Sequence, residues 1–183
     1  MSSPRTESSV ERAVAGVGAD VERLALHFLP RIHGLALRLT RNDELAREAT
    51  QETYVKLLRA LPDLRRRERV DAWVLMIAAN VVRDFIRRRG REQPLTYEPP
   101  ALEADAADDR EAARARAIEL ALLELEVDDR ELFLLHVVEG LRLKDLAAAR
   151  KQTLPALTSK LHRVRSKVRA HAAARLRTVG ALA

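Results

Sequence analysis

The sequence predicts an all-α protein: two small helical domains joined by a flexible acidic linker. Three observations predict it. Nearly every apolar run repeats at spacings of three and four residues, the period of a helix, and no stretch alternates as a strand would. Aromatic residues, which favour strands, make up only 3% of the chain. Finally, EQPLTYEPPALEADAADD, residues 92–109, breaks the helical pattern with three prolines and a run of acids, the composition of a linker.

Taken in order, MSSPRTESSVERAVAGVGAD lacks the apolar core of a signal peptide and reads as a flexible leader over 1–20. A first helix is expected from about Val21 to Thr40, with Leu24, Phe28, Ile32, Leu35 and Leu39 in register. Pro30 lies inside it and is expected to kink or split it. Asn42 or Asp43 caps a second helix over about 43–60, ended by Pro62. The polar connection PDLRRRERVD leads to a third helix within AWVLMIAANVVRDFIRRRGR, residues 72–91, stopping at Gly90. Beyond the linker, helices are expected near 111–126 and 129–139, the latter opened by Asp128 with Glu131 three residues on, a capping-box pattern, and closed by Gly140. A short helix over about Lys144–Arg150, a turn, and a basic helix over about Leu154–Arg175 complete the chain. The expected boundaries are 1–20, 21–91, 92–110, 111–177 and a tail over 178–183.

Charge is distributed in blocks. The chain carries a formal +6 overall, but residues 65–91 hold nine arginines against Glu68, Asp71 and Asp84, and 142–177 hold eleven basic residues against Asp145. Between them, 92–111 and 119–139 each have seven acids against one arginine. Two basic blocks separated by acidic ones suggest two anion-binding surfaces. There is no cysteine, so disulfides and thiolate metal sites are excluded. No apolar run approaches the ~18 residues of a membrane span, and a cytosolic protein is the simplest reading. The five histidines fall on separate predicted helices, and the six glycines form no phosphate loop. Neither a catalytic constellation nor a metal or cofactor site is expected.

The third helix separates into two faces at about 100° per residue. Val74, Leu75, Ala78, Val81, Val82, Phe85 and Ile86 make a broad apolar stripe that needs a core. Trp73, Met76, Asn80, Asp84, Arg87 and Arg91 line the other face, where an indole, a carboxamide and guanidinium groups in a line make a surface built to hold something. Purely structural roles compete: Trp73 sealing a core edge, Asn80 bonding a neighbour, Asp84 pairing with Arg87 or Arg88.

The short helix, turn and basic helix near the end trace a helix-turn-helix. Leu157, Leu161, Val164 and Val168 make one buried stripe, leaving Ser159, Lys160, His162, Arg163 and Lys167 off it. Ala156, Ser159, Lys160 and Arg163 are the candidate base or phosphate contacts. Thr153 suits the N-cap, and Pro155 is tolerated in the first turn. The competing reading is a solvated cationic face.

Both halves together, over about 22–175, resemble the extracytoplasmic-function (ECF) sigma factors of bacterial RNA polymerase, members of the sigma-70 family. Trp73, Ile77, Ala78, Asn80, Asp84, Arg87, Arg88 and Arg91 fall on that family's promoter-melting pattern, and EATQETYV resembles its "DxxQexF" element. LLELEVDDRELFLLHVVEGLRLKDLA with SKLHRVRSKV resembles its region 4. The resemblance implies a regulatory subunit that directs core RNA polymerase to promoters. Glu48, Gln51, Glu52 and Tyr54 would meet the clamp helices of the largest polymerase subunit. Arg65, Arg66, Arg67, Trp73, Asn80, Arg83, Arg87, Arg88 and Arg91 would receive the opened −10 element, with the Leu64–Val70 connection capturing a flipped base. Ala156, Ser159, Lys160, His162, Arg163 and Lys167 would meet the −35 element. The flap of the second-largest subunit and an anti-sigma factor, membrane-bound in some members, are further implied partners. The chain departs from the family where Lys151 replaces the turn glycine, a position at which left-handed backbone would cost roughly 1 kcal/mol, and where Ala156-Leu157 replaces the frequent Thr-Val. An ordinary helix-turn-helix regulator that binds duplex DNA without polymerase is the rival; a helical adaptor is a third reading.

Overall fold

The computed structural model describes residues 25–60, 70–89 and 109–180, all but the short turns of them helical. The leader, Pro62, the 92–108 stretch, Arg65, Arg66, Arg67 and Arg91 lie outside those residues.

The first group holds three helices. α1 covers 25–40 and runs unbroken across Pro30, so the helix is not split there. Its buried face is Phe28, Ile32, Leu35, Ala36 and Leu39. At its end Arg41 takes φ +59° and donates its N–H to Leu37 O at 2.9 Å, turning the chain. Asn42 then settles the choice of cap: its Oδ1 accepts the Leu45 N–H at 3.0 Å, opening α2, Asp43–Ala60. α3, Val70–Arg89, packs against α2 and buries Val74, Leu75, Ala78, Ala79, Val81, Val82 and Phe85, with Ile86 half-buried.

The second group begins with α4, Asp109–Leu123, two residues earlier than expected, inside the stretch read as linker. α5, Val127–Phe133, continues directly into a π-turn, Leu134–Val138, closed by the Glu139 N–H on Leu134 O at 2.9 Å. The Asp128 capping box is not formed. Glu126 precedes the helix with no side-chain cap, and Glu131 is fully buried and engaged elsewhere. Gly140 stops this helix as expected, at φ +72°. α6, Leu143–Ala149, ends in a Schellman turn: Gln152 N–H to Ala147 O at 2.9 Å and Lys151 N–H to Ala148 O at 3.2 Å, with Lys151 itself at φ +54°. α7, Leu154–Gly180, extends into the expected tail and buries Leu157, Leu161, Val164, Val168 and Ala172 against α4 and α5.

One buried guanidinium bonds to both groups. Arg130 is 2% exposed, and its donors reach only carbonyls: Leu122, Leu123 and Leu125 O at the end of α4, and Arg38 and Leu39 O at the end of α1. Terminal helix carbonyls lack intrahelical donors and carry the negative end of the helix dipole. One cation therefore satisfies two helix ends, one from each group. Burial, with Arg41 nearby, pushes its pKa down to about 10. The buried apolar side chains of both groups fall in one cluster, so the two halves stand docked.

Candidate nucleic-acid and protein interfaces

On α2, Glu48, Gln51 and Glu52 fall on one outward face, Gln51 exposed and the other two half-buried. Exposed Val55 and Leu58 extend that face toward the helix end, an apolar margin that the sequence reading did not include. Tyr54 points elsewhere: its hydroxyl donates to Ala25 O at 2.6 Å, bracing α1, and burial pushes its pKa up. Burial opposes the charge on Glu52, but Lys56 at 3.1 Å and Arg88 at 3.2 Å outweigh it and hold the carboxyl below its usual range.

On α3 the expected line of residues is present, with differing surroundings. Trp73 and Met76 are half-buried against the core, so the indole does seal a core edge while keeping part of its surface open. Asn80 is exposed and accepts from Arg83 Nη1 at 3.2 Å. Asp84 pairs locally with Arg87 at 3.1 Å. The cations at the two flanks are both occupied. Arg88 stacks over the Phe85 ring, 4.8 Å from its centroid, and reaches Glu52 on α2. Arg83 crosses to the second group and grips Glu131, Nη2 to Oε1 at 2.6 Å and Nε to Oε2 at 3.1 Å.

On α7, Thr153 caps as expected, its Oγ1 accepting the Ala156 N–H at 3.4 Å. Ala156, Ser159, Arg163 and Lys167 are exposed on one outward stripe, with Lys160 half-buried beside them. Lys167 and Lys160 share Asp129 at 2.8 and 3.4 Å, and despite its partial burial they hold that carboxyl below its usual range. His162 is turned away from this stripe. It lines a groove of about 650 Å³ with Ile118, Phe133, Val137, Arg165 and Arg169, so helical spacing separates it from the other −35 candidates. Exposed Ile118 and Val137 give the groove an apolar margin, and a second cationic row on α7 was the signal that could have found it.

Sequence reasoning also missed the residues joining the two groups. Arg38 on α1 holds Glu119 on α4 through Nη2 at 2.8 Å and Nε at 3.0 Å. Arg31 bridges Glu139 at 2.8 Å and Asp71 at 2.7 Å. Glu131 serves two cations, since Arg150 Nη2 also donates to its Oε1 at 2.7 Å. No cluster of three or more metal-ligating side chains occurs among the described residues.

Comparison with known proteins places these surfaces in context. The family model for sigma-70 region 2 matches residues 24–92. RNA polymerase sigma factor CarQ of Myxococcus xanthus is 32% identical, over 87% of this chain and 93% of its own length. The RNA polymerase sigma-H factor of Pseudomonas aeruginosa is 27% identical, over 87% and 89%. Among solved structures, the sigma factor RpoE bound to the anti-sigma factor NepR, from Bartonella quintana, superposes with a TM-score of 0.67 at 21% identity, over 83% of this chain and 96% of that one. CnrH in complex with the cytosolic domain of CnrY gives 0.60 at 22%, over 87% and 92%.

Proposed function

This chain belongs to the ECF RNA polymerase sigma factors, and on that premise we propose how its surfaces divide the work. Sigma factors are regulatory subunits rather than enzymes, and promoter DNA and core RNA polymerase are the partners of this one. The α2 face of Glu48, Gln51 and Glu52, with the apolar margin of Val55 and Leu58, takes the polymerase clamp helices. The 64–91 segment receives the opened −10 strand, Asn80 and the open part of Trp73 meeting bases while Arg83, Arg87, Arg88 and Arg91 meet phosphates. The first turns of α7 carry Ala156, Ser159, Lys160, Arg163 and Lys167 to the −35 element. Because the two DNA sites are tethered, each can be weak alone. The chain acts in the cytoplasm; among the described residues no helix is long and apolar enough to cross a membrane. An anti-sigma factor, the kind of partner bound in the structure of RpoE with NepR, holds it inactive.

The observation that carries this reading is the placement of Trp73, Asn80 and Arg87 along one face of α3, a rigid helix whose opposite face is fully committed to the core. A regulator that reads only duplex DNA has no use for that row. The test is gel filtration with bacterial core RNA polymerase, wild type beside a Glu48→Ala, Gln51→Ala, Glu52→Ala variant. Co-elution of wild type, lost in the variant, is expected. Wild type that ignores polymerase and binds duplex DNA tightly alone would establish the ordinary regulator instead.

A further inference from the structure

The corner between α6 and α7 is built on a residue that resists its own backbone. Lys151 closes the Schellman turn at φ +54°, a left-handed conformation that a β-carbon disfavours. Gly140 takes the same region at φ +72° without that cost. Strain of this kind persists where another interaction offsets it. Inside the fold none does. Lys151 is exposed, and among the described residues its side chain has neither an ion pair nor a hydrogen bond. Arg41, the other described non-glycine residue with positive φ, differs in being half-buried beside Arg130.

Residues 151–156 are exposed without interruption, one open edge that leads from the turn into the first turn of α7. That edge ends on Ala156, the first residue assigned to the −35 element, with Ser159 one turn further on. The cations assigned there are mostly committed. Lys160 and Lys167 share Asp129 at 3.4 and 2.8 Å, which leaves Arg163 as the one without a carboxylate among the described residues. Ala156 offers no hydroxyl to a phosphate. A helix laid in the major groove brings its start, and the turn before it, close to the phosphates bordering the groove. Lysine is a flexible point charge and needs no fixed geometry to meet one of them.

We propose that Lys151 holds a backbone phosphate at the edge of the −35 element, a contact that glycine at this corner could not make. The inference rests on the assignment of α7 to that element. The contact positions the helix rather than reads bases, so it supports every −35 sequence alike.

Lys151→Gln keeps the β-carbon and removes only the charge, whereas Lys151→Gly removes both. Each variant is assembled with core RNA polymerase and titrated over a salt series. The probe is a promoter duplex that the wild-type holoenzyme has selected from a randomised pool. Both variants should bind about threefold weaker at about 0.1 M NaCl, with the logarithmic salt slope reduced by about one. Lys151→Arg should bind as wild type does. Arg169→Gln, which removes a charge from the groove face of the same helix, should leave the slope unchanged. Lys151→Gly should meanwhile raise the urea midpoint, so stability and affinity move in opposite directions, which a merely structural role does not produce. Methylphosphonates placed one at a time along the −35 element should weaken wild type at a position to which Lys151→Gln is indifferent. Unchanged affinity and slope in Lys151→Gln, an equal loss of slope in Arg169→Gln, or a scan without such a position overturns the phosphate contact. Ser159→Ala with Arg163→Ala separates the two readings. If that variant binds as wild type does, the −35 assignment of α7 fails; if it weakens while Lys151→Gln does not, only the Lys151 contact fails.

Discussion

Arg83 and Glu131, 48 residues apart in sequence, meet through two hydrogen bonds, and the carboxylate has a second cation, Arg150, on the same oxygen. The three side chains are unequally placed. Arg83 is 42% exposed, Arg150 10%, and Glu131 not at all. Removing different members should therefore have very different consequences. Arg83→Ala leaves Glu131 paired and should cost under about 1 kcal/mol. Glu131→Ala strands a nearly buried guanidinium and should cost about 3 kcal/mol. Urea unfolding of the two variants checks the asymmetry; equal losses would mean that Arg150 does not depend on Glu131.

Lys151 occupies the left-handed corner of the Schellman turn between α6 and α7. A β-carbon is disfavoured there, whereas glycine adopts the conformation freely. Lys151→Gly should stabilise the chain by about 1 kcal/mol, seen as a higher urea midpoint at unchanged slope. A loss of stability would show that the lysine side chain contributes more than its backbone costs.

Arg87, Arg88 and Arg91 are assigned to phosphates. Replacing all three with alanine should weaken promoter opening by the holoenzyme and flatten its salt dependence, by roughly one unit of logarithmic slope for each phosphate no longer neutralised. An unchanged slope would count against the assignment. Arg88 needs its own control, since it also holds Glu52 at 3.2 Å: Glu52→Gln frees it without removing it.

Acid should destabilise the second group of helices in a defined window. Glu124, hydrogen-bonded by His171 and Arg175, and Asp129, held by Lys167 and Lys160, both ionise more readily folded than their ordinary values allow. A depressed carboxyl contributes stability that is fully present above its unfolded pKa of roughly 4 and is lost as pH falls through the folded one. The urea midpoint should hold from neutrality to about pH 5 and drop below about pH 4. In Asp129→Asn the drop should be shallower.

Local rules made most of the helices legible. Asn42, Gly140 and Thr153 announce ends that the structure realises, because capping depends on the residue and its nearest amides alone. The α3 core stripe and the α7 stripe follow from period and hydrophobicity. Where local rules failed, a longer-range partner had won. Glu131 matched a capping box, but burial beside Arg83 and Arg150 outweighs what an exposed cap would contribute. Pro30 looked like a breaker, yet α1 runs through it with Phe28 and Ile32 both in the core.

By itself the sequence determined the helical class, the amphipathic faces with the charged and polar residues they carry, and the family, since each depends on residue type and on spacing along the chain. Which of those residues stand open was decided only by tertiary structure. Asn80 and Arg163 are exposed to solvent, whereas Arg83 and Lys167 already hold carboxylates. An arginine reads the same in sequence whether it awaits a phosphate or grips a glutamate. The difference comes from an acid brought within 3 Å by the packing of helices far apart in the chain.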